Sequence, residues 1–302
     1  MKKIFVLGSL NMDIVIKTPY MPSKGETILG SGLFYNPGGK GANQAVASSK
    51  QGVETYLIGS VGMDANGEEL IKKAKSYGVN HYFIKKDLNN LTGVAIIVLT
   101  EGDNRIILDG GANQHISHDL IDEALKIAKP DDIFITQLEN NIDAVYYGIE
   151  KAKEKGLITI FNPAPAKKLD DKIYSLVDYL IINEIECDIL SNIKPNSDED
   201  FHLAYKYFNE KGLKNLIITL GEKGSILLGK ETVKMDSIKV KVVDTTAAGD
   251  TYVGALASCL AKDMNIKESL EYASCASGLT CTKEGAQQSI PLYNDVIKML
   301  NK

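Results

Sequence analysis

Short apolar runs alternate with longer amphipathic stretches along most of this 302-residue chain. The runs that have the length of buried strands are IFVLG, TYLIG, DIFITQ, LITIFN, DYLIIN and NLIITL. Parallel strands that are buried on both faces and joined by crossover helices give this pattern. We therefore predict a doubly wound, mostly parallel α/β sheet flanked by helices. The length fits one large domain with an inserted element or two domains, and we expect one domain over residues 1–302.

Two segments interrupt the alternation, at about 14–35 and 92–109. The first is rich in Pro, Gly and Thr, and in the second GVAIIVLT and NRIILD flank the turn-like EGDN. Both are typical of antiparallel strands. We expect them to form a small β-sheet outside the core, although an edge hairpin would give the same pattern.

Composition excludes several kinds of protein. The net charge of −5 argues against a nucleic-acid partner, because proteins that bind phosphate backbones usually display a basic surface. No run approaches the ~20 apolar residues needed to cross a bilayer, so no membrane partner is expected. The four cysteines lack CxxC spacing and the density of a disulfide framework, which favours reduced thiols in a cytoplasmic protein.

The stretch DTTAAGDTYVGAL, at 244–256, places small residues directly before an apolar run that is typical of a helix. Because Ala247, Ala248 and Gly249 carry almost no side chain, a phosphate could approach their N–H groups at the helix start. Asp250 then lies in the first helical turn. It could act as a base while the amides stabilise a transferring phosphoryl group, or it could only complement the helix dipole.

A second stretch, PGGKGANQAVA, places glycines at 38, 39 and 41 around Lys40, again before a helix-forming segment. Glycines permit positive φ angles and close approach of the backbone. Lys40 and Asn43 could donate to hydroxyl groups, and Asn43 could also cap the helix. Taken separately, the stretch could be only a tight turn.

These two stretches resemble the paired signatures of the PfkB carbohydrate kinase family. Further segments similar to that family follow in the expected order along the chain: GSLNMD, TGVAIIVL, DGGANQHIS, QLE, NPAPA, IINEIE, ITLGEKG and EGAQQSIP. The chain is identified as a member of the family on these segments. The resemblance implies that the strands at 14–35 and 92–109 form a lid over a sugar site and join the lid of a partner in a homodimer.

The resemblance also implies which residues bind the sugar. They are Asn11, Asp13, Gly38, Gly39, Lys40, Asn43, Glu139 and Asp250. Asn11 and Asp13 lie at the C-terminal end of the first predicted strand, the edge at which open α/β sheets bind ligands. Without the resemblance, the same two residues could simply end that strand.

Nucleotide and magnesium residues are likewise carried over from the family. The ATP-binding residues would be Asn183, Thr219, Gly221, Gly224, Gly249 and Ser274, and Glu186 would hold Mg²⁺ through water. The NEIE segment that contains Glu186 could instead be an ordinary acidic helix start. GSILLGKE nearly matches a Walker A loop, but Glu231 replaces the Ser or Thr that would bind magnesium, so we expect a strand and a turn there.

A monovalent cation site, for K⁺, rests on the resemblance alone. Its residues would be Asp244 through its side chain, Thr246, Thr280, Lys283 and Gly285 through carbonyl groups, and Ser289 through its hydroxyl.

The function implied by the resemblance is transfer of the γ-phosphoryl group of ATP to O5 of D-ribose. Asp250 would be the general base, and residues 247–250 would supply an amide anion hole. Asp13 favours ribose over 2-deoxyribose as the acceptor. Another sugar or a nucleoside that kinases of this family phosphorylate is an alternative acceptor. A catalytically silent sugar-binding regulator is the alternative from a different class, and the intact Gly249 and Asp250 argue against it.

Overall fold

The computed structural model describes residues 2–100 and 103–301. The strands within them are β1 (Ile4–Leu7), β2 (Asn11–Lys17), β3 (Ser31–Gly38), β4 (Thr55–Gly62), β5 (Ile84–Asp87), β6 (Gly93–Thr100), β7 (Asp103–Asp109), β8 (Ile133–Thr136), β9 (Ile158–Phe161), β10 (Tyr179–Asn183), β11 (Asn215–Thr219), β12 (Ser225–Leu228) and β13 (Thr232–Met235). The α-helices are α1 (Lys40–Lys50), α2 (Ala65–Ser76), α3 (His118–Leu125), α4 (Ile142–Glu154), α5 (Glu184–Ser191), α6 (Asp198–Asn209), α7 (Ala248–Ala261), α8 (Ile266–Thr280) and α9 (Tyr293–Leu300).

The larger sheet has nine strands in the order β13-β12-β11-β10-β9-β8-β1-β4-β5. The pairs from β11 to β5 are parallel, whereas β12 and β13 extend the sheet as antiparallel strands. This arrangement confirms the predicted doubly wound, mostly parallel sheet. In the described part of the chain, no helix is both long and apolar enough to span a bilayer.

Two hydrophobic cores lie on opposite faces of this sheet. Alternate residues of β1 enter different cores: Ile4 and Val6 pack with residues of α1, α7 and α8, while Phe5 and Leu7 pack with residues of α3, α4 and α6. Successive side chains of a strand point to opposite faces, so a central strand must be apolar at every position. This explains why the strands appear in the sequence as continuous apolar runs.

A smaller sheet, the lid, has the order β3-β2-β6-β7. The pairs β2–β3 and β6–β7 are antiparallel as predicted, but the central pair β2–β6 is parallel. Between these two strands the chain passes through α1, β4 and α2 of the larger layer, so it returns to the lid in its original direction. Of the predicted EGDN turn, Glu101 and Gly102 lie outside the described residues.

The prediction that Asn11 and Asp13 lie at the end of the first strand is wrong. Strand β1 ends at Leu7, and both residues belong to β2 in the lid. The side chain of Asn113 explains the break, because it bonds to both the N–H and the C=O of Leu10, at 2.9 and 3.1 Å. Leu10 therefore cannot continue the first strand, and the lid begins at Asn11 instead of near residue 14.

Candidate active site

Asp250 lies in the first turn of α7, and its side chain is only 7% exposed. Each of its carboxylate oxygens accepts a hydrogen bond from an amide side chain of α1. Asn43 Nδ2 lies 2.9 Å from Oδ2, and Gln44 Nε2 lies 3.0 Å from Oδ1. Hydrogen bonds from N–H groups stabilise a carboxylate in its charged form and fix its orientation.

The backbone turns sharply just before α7. Ala247 has φ +62° and ψ +10°, a left-handed conformation that costs a residue with a Cβ about 1–2 kcal/mol. Ala248 N–H donates to the carbonyl of Thr245 at 3.2 Å. Among the described residues, the N–H groups of Gly249 and Asp250 have no backbone acceptor, and Gly249 is exposed. These two amides are therefore available to an anion at the helix start.

The glycine-rich stretch lets α1 begin directly against the lid. Gly39 precedes α1 with φ +91°, and a Cβ there would lie 2.7 Å from Asn11 N and from the carbonyl oxygen of Ser9. A Cβ on Gly38 would overlap the carboxylate of Asp13. Only glycines leave room for this contact, so both are needed to bring Asp13 next to α1.

The proposed capping role of Asn43 is wrong. Gly39 occupies the position before α1 and makes no side-chain cap, whereas Asn43 lies inside the helix. Its side chain points across to Asp250, and its Oδ1 is buried without a hydrogen-bond partner among the described residues. The amide therefore retains an acceptor for a ligand hydroxyl.

Glu139 and Asp250 lie close enough to Asp13 to repel its charge, and close enough to Lys40 to attract it. Asp13 is 9% exposed, and burial together with repulsion from Glu139 and Asp250 raises its pKa to about 7. Burial lowers the pKa of Lys40, but attraction to Asp250, Glu139 and Glu186 outweighs burial and raises it overall. The carboxylate of Asp13 and the ammonium of Lys40 form no hydrogen bonds within the described part of the chain, so both can bind a polar ligand.

Glu139 accepts hydrogen bonds from three residues that lie near the end of β1, at the start of β2 and at the start of α1. Its Oε2 accepts hydrogen bonds from Ser9 Oγ at 2.5 Å, Asn11 Nδ2 at 3.2 Å and the backbone N–H of Lys40 at 3.1 Å. Asn11 Oδ1 in turn accepts from Asn113 Nδ2 at 2.8 Å. These bonds hold Asn11 and Glu139 in fixed orientations before any ligand binds.

Sequence reasoning missed the supporting residues Ser9, Gln44 and Asn113. Asn113 is fully buried and lies in the DGGANQHIS segment, which contributed to the family resemblance. Its polar side chain near a predicted strand end was the available signal. Its partners are more than 100 positions away, at Leu10 and Asn11, so the sequence alone could not identify its role.

Asn183 and Glu186 form a reciprocal cap at the start of α5. Asn183 Oδ1 accepts from Glu186 N–H at 2.8 Å, and Glu186 Oε2 accepts from Asn183 N–H at 2.9 Å. Burial raises the pKa of Glu186; the Asn183 bond and Lys40 oppose that rise, and Asp250 adds to it. Glu186 Oε1 has no partner among the described residues, so it can accept from a water of a hydrated Mg²⁺.

The predicted nucleotide residues are spread over several elements, and Asn183 and Gly249 are described above. Thr219 ends β11, and Gly221 and Gly224 follow it in a turn with φ +58° and +92°. Ser274 lies on α8, and its Oγ is buried without a partner in the described chain. The alternative Walker A loop is excluded, because Ser225–Leu228 forms strand β12.

Asp244 connects the two segments of the predicted monovalent cation site. It accepts hydrogen bonds from Thr246 N–H and Oγ1 at 2.9 and 2.7 Å, and from Gly285 N–H at 2.8 Å. Burial raises the pKa of Asp244, but these bonds outweigh burial and lower it overall. Asp244 therefore stays ionised where a cation could bind.

The oxygens of the remaining predicted cation residues differ in whether they already take part in a hydrogen bond. In the described structure, the carbonyl oxygens of Thr246, Lys283 and Gly285 accept no hydrogen bond and could bind a cation. The carbonyl of Thr280 accepts from Lys283 N–H at 3.3 Å, and Ser289 Oγ donates to the carbonyl of Ala286 at 2.7 Å. The donor set is rich in neutral oxygens, which fits a weakly charged ion better than a transition metal.

The chain is similar to known proteins over nearly its whole length. The model of the pfkB family of carbohydrate kinases matches residues 1–292. The ribokinase of Haemophilus influenzae is 34% identical over 301 residues, which cover 99% of this chain and 98% of that protein. The deoxyribokinase of Salmonella typhi is 32% identical over 291 residues, which cover 95% of each chain.

The structure is also similar to solved structures. The ribokinase of Arabidopsis thaliana, complexed with ribose and ATP, superposes with a TM-score of 0.92. It is 30% identical in sequence, and the match covers 100% of this chain and 99% of that one.

Proposed function

The chain belongs to the pfkB family of carbohydrate kinases, and from this premise we propose that it phosphorylates D-ribose at O5 with ATP. The observation that carries the proposal is the position of Asp250. Its carboxylate lies in the first turn of α7, beside the unpaired amides of Gly249 and of Asp250 itself, and within reach of the charges of Asp13 and Lys40. A base therefore lies between a polar pocket and an anion site, as transfer of a phosphoryl group to an alcohol requires.

Ribose binding requires many polar groups, because each buried hydroxyl left unpaired would cost about 1–3 kcal/mol. Asp13 offers two acceptor oxygens, Asn43 offers its free Oδ1, and Lys40 offers a donor. Asn11 and Glu139 are already oriented by Asn113 and Ser9. This pocket supports a polyol as the substrate rather than an apolar molecule.

In the proposed reaction, Asp250 accepts the proton of the ribose O5 hydroxyl as O5 attacks the γ-phosphorus of ATP. A bond forms between O5 and the γ-phosphorus, and the bond from that phosphorus to the β,γ-bridging oxygen breaks, so ADP leaves. The amides of Gly249 and Asp250 stabilise the negative charge on the transferring group. Nucleotide binding is assigned to Asn183, Thr219, Gly221, Gly224 and Ser274.

Two metal ions belong to the proposal. Glu186 would hold Mg²⁺ through water, and Mg²⁺ would supply positive charge to the phosphates of ATP. Asp244 would hold K⁺ together with oxygens of Thr246, Thr280, Lys283, Gly285 and Ser289. K⁺ would supply positive charge next to the turn at Ala247. The free carbonyls and the Asp244–Gly285 bond support this site.

An exposed apolar face of the lid is the argument for a homodimer. Tyr35, Ile14, Ile96 and Ile107 stand opposite one another across its four strands, and so share one face. Three of them, Tyr35, Ile96 and Ile107, are 60%, 44% and 59% exposed. A row of exposed apolar side chains is a common interaction surface, and a second copy of the lid would cover it. Ile107→Lys should convert the dimer to a monomer in sedimentation experiments.

The experiment that tests the function measures ADP release from MgATP with D-ribose, 2-deoxyribose, fructose and adenosine in turn. Each acceptor is assayed in K⁺ and in a large organic cation that cannot enter the site. We expect the highest kcat/KM with ribose, and stimulation by K⁺. A preference for 2-deoxyribose would change the substrate assignment to that sugar. It is the main competing acceptor, because one relative is a deoxyribokinase. Binding of ribose without any ADP release would instead favour a sugar-binding regulator.

The proposed setting is the cytoplasm, where ATP is available and thiols remain reduced. The four cysteines are free, and Cys187, Cys259 and Cys275 are buried.

A further inference from the structure

Three buried amide side chains, Gln44, Gln137 and Asn162, form a connected series that ends on Asp250. Gln44 Nε2 donates to Asp250 Oδ1 at 3.0 Å and to Asn162 Oδ1 at 3.1 Å. Gln44 Oε1 accepts from Gln137 Nε2 at 2.6 Å. Gln44 is fully buried, and the other two amides are 1% and 9% exposed. All the polar atoms of Gln44 are therefore paired inside the protein.

The direction of this series is fixed at its far end by a backbone carbonyl. Asn162 Nδ2 donates to the carbonyl oxygen of Ile181 at 2.9 Å. Because a carbonyl oxygen can only accept, Asn162 must point its nitrogen at Ile181 and its oxygen at Gln44. Gln44 must then present its nitrogen to Asn162, and the same nitrogen carries the second hydrogen to Asp250.

A reversed Gln44 amide would be strongly disfavoured. Its oxygen would face the oxygens of Asp250 and Asn162, and its nitrogen would face the nitrogen of Gln137. Buried polar groups left without a partner are costly, and facing oxygens add repulsion. The network therefore has one favourable arrangement, in which Asp250 Oδ1 always receives a hydrogen bond.

Close packing of α1 on α7 keeps Gln44 at this distance from Asp250. Gly254 lies one helical turn after Asp250, and a Cβ there would lie 2.6 Å from the carbonyl oxygen of Gln44 and 2.5 Å from Ala47 Cβ. Ser48 Oγ donates to the carbonyl of Gln44 at 2.8 Å and to that of Gly254 at 3.3 Å. The two helices are thus joined at the level of the amide series.

Charged groups from three other elements also act on Asp250. They are Lys40 at the start of α1, Asp13 on β2 and Glu186 on α5. All three belong to the proposed sugar or magnesium residues, whereas Gln44 is completely buried and its polar atoms are all paired within the protein. Gln44 therefore contributes to the position of Asp250 without reaching the sugar.

We propose that Gln44 is a positioning residue for phosphoryl transfer: through the amide series it holds the carboxylate of Asp250 in one orientation. The proposal rests on the proposed role of Asp250 as the general base. It predicts that loss of the Gln44 donor lowers kcat more than it changes ribose binding.

The test compares Gln44→Met with the wild-type enzyme at saturating ribose, MgATP and K⁺. Saturating ribose is used because kcat then reports steps after the substrate complex has formed. We expect kcat to fall about 10- to 100-fold. KM for ribose should change less than about threefold, because Gln44 does not reach the sugar.

Gln51→Met is the matched control. Gln51 directly follows α1, is also fully buried, and makes comparable bonds to the carbonyls of Ala47 and Pro291 and to the hydroxyl of Tyr272. Its side chain makes no hydrogen bond to Asp250 in the described structure. This variant should lose a similar amount of thermal stability while its kcat stays close to the wild-type value.

Gln44→Glu keeps the length of the side chain and serves if Gln44→Met does not fold. Its carboxylate cannot donate the hydrogen bond to Asp250 Oδ1, so kcat should fall at least as far as in Gln44→Met. The proposal is overturned if the foldable Gln44 variants keep the kcat of Gln51→Met, or if KM for ribose rises as much as kcat falls. If the wild-type enzyme itself releases no ribose-dependent ADP, or if Asp250→Asn retains activity, the proposed function fails instead.

Discussion

The two sides of Asp250 are built in different ways. On the acceptor side, which comprises Asn11, Asp13, Lys40, Asn43 and Glu139, side chains from distant parts of the chain converge in a buried pocket. On the phosphate side, which comprises Ala247–Asp250 and the Asn183–Glu186 cap, the groups offered to a ligand are mainly backbone amides near the surface. The first side depends on which side chains are present, and the second on the path of the backbone.

This difference has an energetic consequence. Burial of Asp13 next to Glu139 and Asp250 disfavours its ionised form, which raises the free energy of the unliganded protein. Ribose can lower this free energy by donating hydrogen bonds to the carboxylate. On the phosphate side, the unfavourable term is the conformational strain of one residue, Ala247, whose backbone is left-handed. Substitutions should therefore affect the acceptor side more strongly than the phosphate side.

The largest effect is expected at Asp250, where the two sides meet. Asp250→Asn keeps the size of the side chain but removes the base, so kcat should fall about 10³-fold or more. Ribose and ATP binding, measured by calorimetry, should change little. A variant that retains even a tenth of the wild-type kcat would contradict the role of Asp250.

Asp13→Asn should separate function from stability on the acceptor side. Loss of the carboxylate should lower kcat/KM for ribose about 100-fold, because hydrogen bonds to a charged acceptor are lost. The folded protein should nevertheless become more stable at pH 8, by roughly 1–4 kcal/mol, because a buried charge is removed.

The sign of the stability effect follows from the raised pKa of Asp13, about 7 in the folded protein against an ordinary value of 3.8. The unfolded chain ionises more easily, so Asp13 destabilises the folded state progressively as pH rises from about 4 to 7, and fully above 7. The stability gain of Asp13→Asn should therefore be smaller at pH 5 than at pH 8. Thermal unfolding of both proteins across this range measures it, and an equal gain at both pH values would contradict the burial argument.

The wild-type enzyme should show the same ionisation in its kinetics. The pKa of Asp13 in the free protein is about 7, and its carboxylate accepts hydrogen bonds from hydroxyls more strongly than the neutral acid does. The ratio kcat/KM for ribose should therefore fall up to tenfold for each pH unit below about 7. Asp13→Asn should lack this limb; if the limb persists in that variant, another group is responsible.

The smallest effect is expected at Ala247 on the phosphate side. Ala247→Gly removes a Cβ at φ +62°, so it should stabilise the protein by up to about 1 kcal/mol and leave kcat within about twofold. Ala248→Gly, one residue further along and inside α7, is the control and should not stabilise. A large loss of kcat in Ala247→Gly would mean that the phosphate side depends on side chains after all.

Much of the larger sheet could be predicted from the sequence, because strands buried on both faces must be continuous apolar runs. The start of α7 and the place of Asp250 in its first turn were also predictable, since small residues followed by an apolar run define a helix start. The end of β1 was not, because the bonds that turn the chain at Leu10 come from Asn113. The direction of β6 beside β2 likewise depends on the intervening layer.

The sequence indicated the roles of some polar segments, whereas other roles depended on partners far along the chain. Glycines at 38 and 39 signalled a close backbone approach, and the structure places Asp13 and Asn11 in that space. Asn43 was a plausible cap by its position in the sequence, but its amide faces Asp250, 207 residues away. Gln44 gave no signal at all, because a glutamine in an apolar helix segment is unremarkable until its partners are known.

The sequence by itself determined the fold class, the family and the short segments that carry the chemistry, because apolar periodicity and glycine placement act over a few residues. Only the tertiary structure decided that Asn43 and Gln44 hold the two oxygens of Asp250, that Asn113 orients Asn11, and that Asp13 lies on the lid. Hydrogen bonds and buried charges depend on distances in space, and residues separated by 100 to 200 positions acquire those distances only when the chain has folded.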